Sequence, residues 1–291
     1  MLRKLTLLII FFIGCEDNIL QQEIYNEGPP KNVFFLDSLF FPDDDFSLTD
    51  NTYQNILDNL GVLPETPDCN HPEFGPHILP KYDTFLEKNI FRFFLHKDID
   101  NDRCINFDRQ RNELKVNVQS PEWLQGKKND QFFYSWKFKV DKKFKASPSF
   151  THIHQLYPFG NKSKPPTLSY TITSLENDSN SEIFEIIFTD DSLEGSKIIQ
   201  LDFDFKGRWI SVEETVRYGM NGYLKIIIKD IERNQVLAFF ENDSIALWRF
   251  DGEFIRPKWG IYRSLDDINF LNDEYIDYSD FQIVKFRSIL N

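Results

Sequence analysis

The sequence lacks an excess of positive charge. It has 33 Lys and Arg residues against 46 Asp and Glu residues, and its formal net charge is −13. Domains that bind nucleic acid normally present a basic face, so this balance argues against DNA or RNA as a partner. An anionic ligand of another kind would require a local cluster of basic residues within an acidic protein.

Long apolar runs and cysteines are also scarce. No stretch after the first fourteen residues reaches the roughly 20 apolar residues that cross a bilayer. Neither Cys69 nor Cys104 has the C-x-x-C spacing of a zinc site, so we predict no metal and no other cofactor. An oxidising compartment allows these two cysteines to form a disulfide, and two free buried thiols are the alternative.

One acidic segment has the beginning of a calcium loop but not its end. The run 98–102 alternates Asp with other residues, but Arg103 stands where such a loop needs glycine and Arg109 where it needs glutamate. We therefore predict a solvated acidic turn without calcium.

The first fourteen residues have the pattern of a secretory signal. Basic residues at 3 and 4 precede the apolar run 5–13, and Gly14 precedes Cys15. The segment 12–15 resembles the lipobox of bacterial lipoproteins, in which the cysteine is lipidated and becomes the new N-terminus. The resemblance implies an exported chain anchored by lipid at Cys15 to the bacterial outer membrane, and two acidic residues after the cysteine favour the cell surface. An ordinary cleaved signal is the alternative.

The rest of the chain divides into three parts. Residues 15–32 are polar and predict a lipidated tether. Residues 33–80 mix phenylalanine-rich pieces with prolines and predict an irregular extension packed on the main domain, with a short helix near 51–60; a small separate module is the alternative. Residues 81–291 alternate between apolar and polar positions, as strands do.

The last part is rich in strand-forming residues, and the whole chain has 30 Phe and 11 Tyr. The segment 218–223 predicts a hairpin in which Asn221-Gly222 supplies positive φ values. Twelve short strands and few helical patterns predict one two-sheet β-sandwich domain. The predicted strands are 90–95, 113–118, 131–140, 150–155, 168–174, 183–189, 197–204, 209–218, 223–230, 235–241, 254–263 and 275–286.

Three separate segments carry polar residues at even spacing. Residues two or four apart in a strand point to the same side of a sheet, so each segment would form one polar strip. Side by side, the strips would form a groove. They are Arg111, Glu113 and Lys115; then His152 and His154; then Lys258 and Tyr262.

In this order the segments resemble the R-x-E-x-R/K, Q-x-H and K-x-G-x-Y motifs of jelly-roll polysaccharide lyases, such as the alginate lyases; the heparin lyase I and glucuronan lyase groups share the architecture. The resemblance covers 82–286 and implies an all-β fold, a concanavalin-like β-jelly-roll sandwich of two antiparallel sheets. It also implies β-elimination of an anionic, uronate-containing polysaccharide. His152 departs from the family, because alginate lyases usually have glutamine or asparagine there.

The resemblance assigns roles to these residues. Arg111, His152 or a neighbouring amide such as Gln155 would neutralise the substrate carboxylate. His154 or Tyr262 would act as base, and Tyr262 would protonate the leaving oxygen. We expect a monomer with no catalytic metal. The expected substrate-binding residues are Arg109, Glu113, Lys115, Gln155, Lys258 and Trp259.

Two other functions fit a sandwich fold. A retaining glycoside hydrolase needs two carboxylates about 5–5.5 Å apart, and no strand carries an E-x-D-x-E run. A non-catalytic glycan-binding protein would keep a basic groove without needing His154 and Tyr262. The presence of both favours the lyase.

Overall fold

The computed structural model describes residues 35–42, 51–160, 165–175, 178–202, 204–266 and 268–286. The expected signal, the lipidated Cys15 and the tether lie outside these residues. None of the described helices is long and apolar enough to cross a membrane.

The described residues form fourteen strands and one α-helix. The strands are β1 (Phe35–Phe41), β2 (Ile78–Asp83), β3 (Lys88–Leu95), β4 (Arg109–Lys115), β5 (Gln131–Val140), β6 (Thr151–Phe159), β7 (Leu168–Leu175), β8 (Asp178–Thr189), β9 (Gly195–Asp202), β10 (Ile210–Arg217), β11 (Gly222–Asp230), β12 (Gln235–Ile245), β13 (Phe254–Ser264) and β14 (Glu274–Phe286). The helix α1 is Thr52–Leu60, and short 3₁₀ turns cover Glu122–Leu124 and Ile268–Phe270.

The strands form two antiparallel sheets. The larger sheet has the order β12-β11-β10-β5-β14-β3-β2, and β1 also pairs with β14. The smaller sheet has the order β4-β13-β6-β7-β8-β9. A single apolar core with residues from both sheets lies between them, including Trp136 of β5 and Trp259 of β13. This confirms the predicted all-β sandwich.

All twelve predicted strands are present, and α1 confirms the predicted helix. The segment 33–80 also contributes β1 and the start of β2, which the sequence pattern did not indicate. The rest of this segment reaches the smaller sheet, where Glu65 and Glu113 exchange backbone hydrogen bonds of 2.8 Å. The extension therefore supplies a wall along the outer edge of β4.

The hairpin between β10 and β11 is present, but our reason for its turn is wrong. Neither Asn221 nor Gly222 has a positive φ. Gly222 is instead required by close packing, because a Cβ there would lie 2.4 Å from the carbonyl oxygen of Arg217 and 2.7 Å from that of Ile245.

Cys69 and Cys104 form a disulfide with a Cα–Cα distance of 6.3 Å. This resolves the two alternatives left open by the sequence. The bridge joins the extension to the loop between β3 and β4.

Candidate active site

A cavity of about 420 Å³ lies on the outer face of the smaller sheet, the face turned away from the core. It is formed where β4, β13 and β6 lie side by side, with walls from the extension and two loops. We call it the groove. Its lining residues are Glu65, Arg103, Arg109, Arg111, Phe150, His152, Gln155, Tyr157, Pro165, Pro166, Arg256, Lys258 and Tyr262.

The pairing of β13 with β4 is regular and brings two of the predicted strips together. Lys258 lies opposite Lys115, and Tyr262 lies opposite Arg111. The even spacing therefore places Arg109, Arg111, Lys258 and Tyr262 in the groove, as the sequence pattern indicated.

A β-bulge in β6 changes the third strip. The register of β6 shifts between His152 and His154 against β7, and β13 carries an extra residue opposite the same place. Ile153 and His154 consequently both face the core, and the alternation resumes with Gln155 in the groove. Our prediction that His152 and His154 share one face is wrong.

His154 is fully buried between the sheets. Its ring lies 4.3 Å from that of Trp136 and is stacked on Trp259 at 5.1 Å, and its Nδ1 is 2.9 Å from the carbonyl oxygen of Lys258. It cannot reach a ligand in the groove. Trp259 is also fully buried, so the prediction that it contacts substrate is wrong as well.

Glu113 holds the floor of the groove together. Its carboxylate accepts hydrogen bonds from Arg111 at 2.5 Å, Lys258 at 2.6 Å and Gln155 at 2.5 Å, one residue from each strand. It is 1% exposed and does not line the cavity. Glu113 can therefore orient its three hydrogen-bond partners. It is not placed to bind substrate directly, contrary to our prediction.

Glu65 is a site residue that the sequence pattern missed, because it comes from the extension. It lies 2.8 Å from Lys258 and accepts hydrogen bonds from Arg103 at 2.5 Å and Lys115 at 3.0 Å. Burial alone would raise the pKa of Glu65, but Lys258, Arg111 and the other cations hold it far below its usual range. Lys115 lies behind Glu65 and does not line the cavity, contrary to its predicted role in binding.

His152 is the histidine of the groove. Its Nδ1 lies 2.7 Å from the hydroxyl oxygen of Thr171, and that hydroxyl donates to Ser169. The Thr171 oxygen can therefore accept from His152 Nδ1, and in that tautomer Nε2 is the unprotonated nitrogen. Burial lowers the pKa of His152 to about 4, helped by the positive charges of Arg111 and Lys258, so the ring is neutral at neutral pH.

Tyr262 lies beside His152, with ring centroids 6.0 Å apart. Its hydroxyl accepts a hydrogen bond of 2.7 Å from Arg109, and the guanidinium of Arg111 lies 3.7 Å from the centre of its ring. Because the hydroxyl accepts from Arg109, its own proton is free to be donated to a ligand.

Positive charge dominates the groove. Five basic side chains and one carboxylate line it, although the whole chain carries −13. Arg256 has no carboxylate within ion-pair distance among the described residues, and its buried Nε has no hydrogen-bond partner there. Its Nη1 donates a hydrogen bond of 3.3 Å to Asn117, and the remaining guanidinium N–H groups are available to pair with a ligand carboxylate, for which arginine geometry is well suited.

The acidic segment 98–102 is not the solvated turn that we predicted. Asp100 and Asp102 are 3% and 0% exposed. Asp102 accepts a hydrogen bond of 3.0 Å from Arg111 and one of 2.7 Å from Arg103. It therefore fixes two cations of the groove.

No model of a known protein family matches the chain, and no curated protein matches it in sequence. Its fold is similar to that of several solved structures. Alginate lyase Aly36B in complex with alginate trisaccharide has a TM-score of 0.54 and 11% identity, covering 86% of this chain and 98% of that one. Family 7 alginate lyase A1-II′ in complex with its substrate has a TM-score of 0.53 and 12% identity, covering 77% and 91%.

Endo-β-1,4-glucuronan lyase from the fungus Trichoderma reesei has a TM-score of 0.50 and 12% identity, covering 71% of this chain and 86% of that one. The structural neighbours are thus polysaccharide lyases of jelly-roll fold. The chain shares that fold, which confirms the predicted fold class.

Proposed function

We propose that this protein is a polysaccharide lyase that cleaves a uronate-containing polysaccharide by β-elimination without a catalytic metal. The observation that carries the proposal is the groove itself, in which five cations surround the neutral His152 and the hydroxyl of Tyr262. Cations favour an anionic glycan, and a neutral imidazole beside a hydroxyl donor provides a base and an acid.

The reaction needs both groups. The base takes the proton from the carbon next to the uronate carboxylate, and the electron pair of that C–H bond forms the new double bond. The neighbouring C–O bond breaks, and its electron pair leaves with the glycosidic oxygen. A general acid protonates that oxygen, and no water is consumed.

Each step has a residue in the groove. Arg256, which has no carboxylate within ion-pair distance among the described residues, binds the substrate carboxylate and stabilises the charge that develops on it when the proton leaves. His152 Nε2 accepts the proton, in the place for which we first considered His154. Tyr262 donates its proton to the leaving oxygen while Arg109 holds the hydroxyl. Substrate binding itself brings negative charge toward His152 and thereby favours its protonated form.

The carboxylates in and beneath the groove do not favour a glycoside hydrolase. Such an enzyme needs a carboxylic acid that stays protonated near neutral pH. The cations Lys258 and Arg111 instead hold the pKa values of Glu65 and Glu113 below their usual range, although burial alone would raise them. Both carboxylates are therefore ionised and engaged by cations.

Product analysis tests the proposal. The purified full-length chain is incubated with alginate, glucuronan and other uronate polysaccharides, and the molecular masses of the fragments are determined by mass spectrometry. Elimination gives fragments whose masses sum to that of the parent chain, with an unsaturated sugar at the new end. Fragments heavier by one water would identify a hydrolase, and tight binding without cleavage would identify a glycan-binding protein.

We further propose that the chain is exported and anchored by lipid at Cys15, on the basis of the signal-like segment 1–15. The full-length protein should then fractionate with bacterial outer membranes and carry an acylated N-terminal cysteine. Cys15→Ala should abolish acylation. Identical fractionation and an unmodified N-terminus in both proteins would contradict the anchor.

A further inference from the structure

A second cluster of ionisable side chains lies outside the groove. His71, His77, His96 and Asp100 each offer one donor atom, and these atoms lie within 4.8 Å of one another. Two of the histidines come from the extension, one follows β3, and Asp100 belongs to the loop after it. Because the four residues come from two separate segments, 71–77 and 96–100, no short sequence motif indicated them.

The spacing of the donor atoms suits a small metal ion. Asp100 Oδ1 lies 3.2 Å from both His71 Nδ1 and His77 Nε2, and Asp100 Oδ2 lies 3.1 Å from His96 Nδ1. Four donors held at about 2.0–2.1 Å from a tetrahedral zinc ion lie roughly 3.3 Å from one another. The three distances to Asp100 are close to that edge length, and all the donor atoms lie within 4.8 Å of one another.

His77 directs a ring nitrogen that lacks a hydrogen-bond partner toward the other residues of the cluster. It is fully buried, and its Nε2 has no hydrogen-bond partner in the described part of the chain, since its approach to Asp100 lacks hydrogen-bond geometry. A buried donor or acceptor without a partner is costly, and a metal ion would satisfy it.

The opposite side of the His77 ring is held by a second layer of contacts. Its Nδ1 lies 2.7 Å from Asp68 Oδ1, and Asp68 accepts a hydrogen bond of 2.7 Å from the hydroxyl of Tyr53. A carboxylate on the far nitrogen is the usual support of a metal-binding histidine, because it fixes the ring and makes the near nitrogen a better ligand. Phe74 covers the cluster, with ring centroids 4.3 Å from His96 and 4.8 Å from His77.

We propose that His71, His77, His96 and Asp100 bind one structural Zn²⁺ ion. Nitrogen and carboxylate ligands suit zinc, and four protein ligands complete its tetrahedral shell without an open position for substrate. The ion would join the extension to the loop 96–104, as the Cys69–Cys104 disulfide also does. That loop carries Asp102, which holds Arg111, and Arg103, which lines the groove, so the ion would stabilise one wall of the site.

The alternative to a zinc site is an ion-pair cluster without metal, in which Asp68 and Asp100 lie 2.7 and 3.2 Å from the two ring nitrogens of His77. The two forms differ in metal content and in their response to chelators, which makes them separable by experiment.

Metal analysis of the purified full-length chain tests the proposal. Elemental mass spectrometry after dialysis should find about one zinc per chain in the wild type and less than a tenth of that in His96→Gln, whose side chain is only partly buried. The matched control His152→Gln changes a histidine outside the cluster and should keep its zinc. Cobalt-loaded wild type should show the intense visible absorption of a tetrahedral site.

Stability gives a second readout that does not need any variant to fold. Zinc at about 100 times its Kd should raise the Tm of the chelator-treated wild type by roughly 5 °C or more. Wild-type protein that retains no zinc, and whose Tm responds to neither zinc nor chelator, would show that the cluster is a proton-linked ion pair and overturn the proposal.

Discussion

His152 and His154 are separated by one residue but have different surroundings. His152 lines the groove, bonded to Thr171, whereas His154 lies in the core against Trp136 and Trp259. A proton acceptor must reach the substrate, so of the two histidines only His152 meets the geometric requirement for a general base.

The two histidines should therefore respond differently to substitution. His152→Gln should lower kcat by about 10²–10⁴-fold with little change in Tm, because removing a general base has effects of that size. His154→Gln should lower the Tm and retain most of the activity of the folded fraction. Steady-state kinetics and circular dichroism on both variants measure this, and the reverse pattern would return the base to His154.

The pH profile tests the neutral state of His152. A base must be unprotonated, and burial together with Arg111 and Lys258 lowers the pKa of His152 to about 4. We predict that kcat/KM stays constant down to pH values near 4, whereas an unperturbed histidine would cause a loss near 6.5. The acid limb of kcat should lie at higher pH, because bound substrate adds negative charge.

Folding must be monitored in the same experiment. Since the folded pKa of His152 is below its unfolded value of 6.5, the unfolded chain takes up this proton first, and stability falls as the pH drops from about 6.5 to 4. An acid limb of kcat/KM near 6.5 in fully folded protein would contradict the assigned role of His152.

At the scale of the elements, the bulge in β6 decides which side chains reach the groove. It is supported from the opposite sheet by Tyr278 of β14, whose hydroxyl lies 2.8 Å from the carbonyl oxygen of Ile153 and 2.9 Å from that of Gly260. The bulge therefore depends on a hydrogen bond across the core.

Removing that hydroxyl should affect both stability and activity. Tyr278→Phe should cost about 1–3 kcal/mol of unfolding free energy, because it leaves buried carbonyl groups unsatisfied. It should also reduce kcat, since the bulge positions His152 and Gln155. Chemical denaturation and steady-state kinetics provide the measurements.

Tyr134→Phe is the matched control, because it removes a buried hydroxyl that bonds only to Tyr218 among the described residues. It should reduce stability and leave kcat nearly unchanged. Equal effects of the two variants on kcat would show that the bulge does not position the site.

The bulge also marks the limit of what the sequence could predict. Alternation identified the twelve predicted strands, and even spacing placed Arg111, Lys258 and Tyr262 correctly because the pairing of β4 with β13 is regular. The same rule failed for His154. One extra residue in a strand moves each later side chain to the opposite face of the sheet. Glu65 lay beyond prediction for another reason: its partners depend on how the extension folds back on β4.

For the whole molecule, the main feature is a basic groove in an acidic protein. Charged side chains attract an anionic polymer over a distance that shrinks as salt is added. We predict that KM for a uronate polysaccharide increases with ionic strength while kcat changes less. Kinetics in increasing sodium chloride test this, and a KM independent of salt would contradict electrostatic binding.

Arg256 should contribute much of this binding, because it has no carboxylate within ion-pair distance among the described residues. Arg256→Gln should raise KM by roughly 10–100-fold, the size expected for a hydrogen-bonded charge. Arg217→Gln removes an exposed arginine from the other sheet and serves as the control with unchanged KM.

If the groove performs β-elimination, Tyr262 is the group that protonates the leaving oxygen. The most direct measurement is the ultraviolet absorbance of the unsaturated product when wild-type protein and Tyr262→Phe are incubated with a panel of uronate polysaccharides. We predict an increase in absorbance with at least one polymer for the wild type and none for the folded variant. Equal rates for both proteins, or binding of a polymer by the wild type without any increase in absorbance, would contradict this prediction.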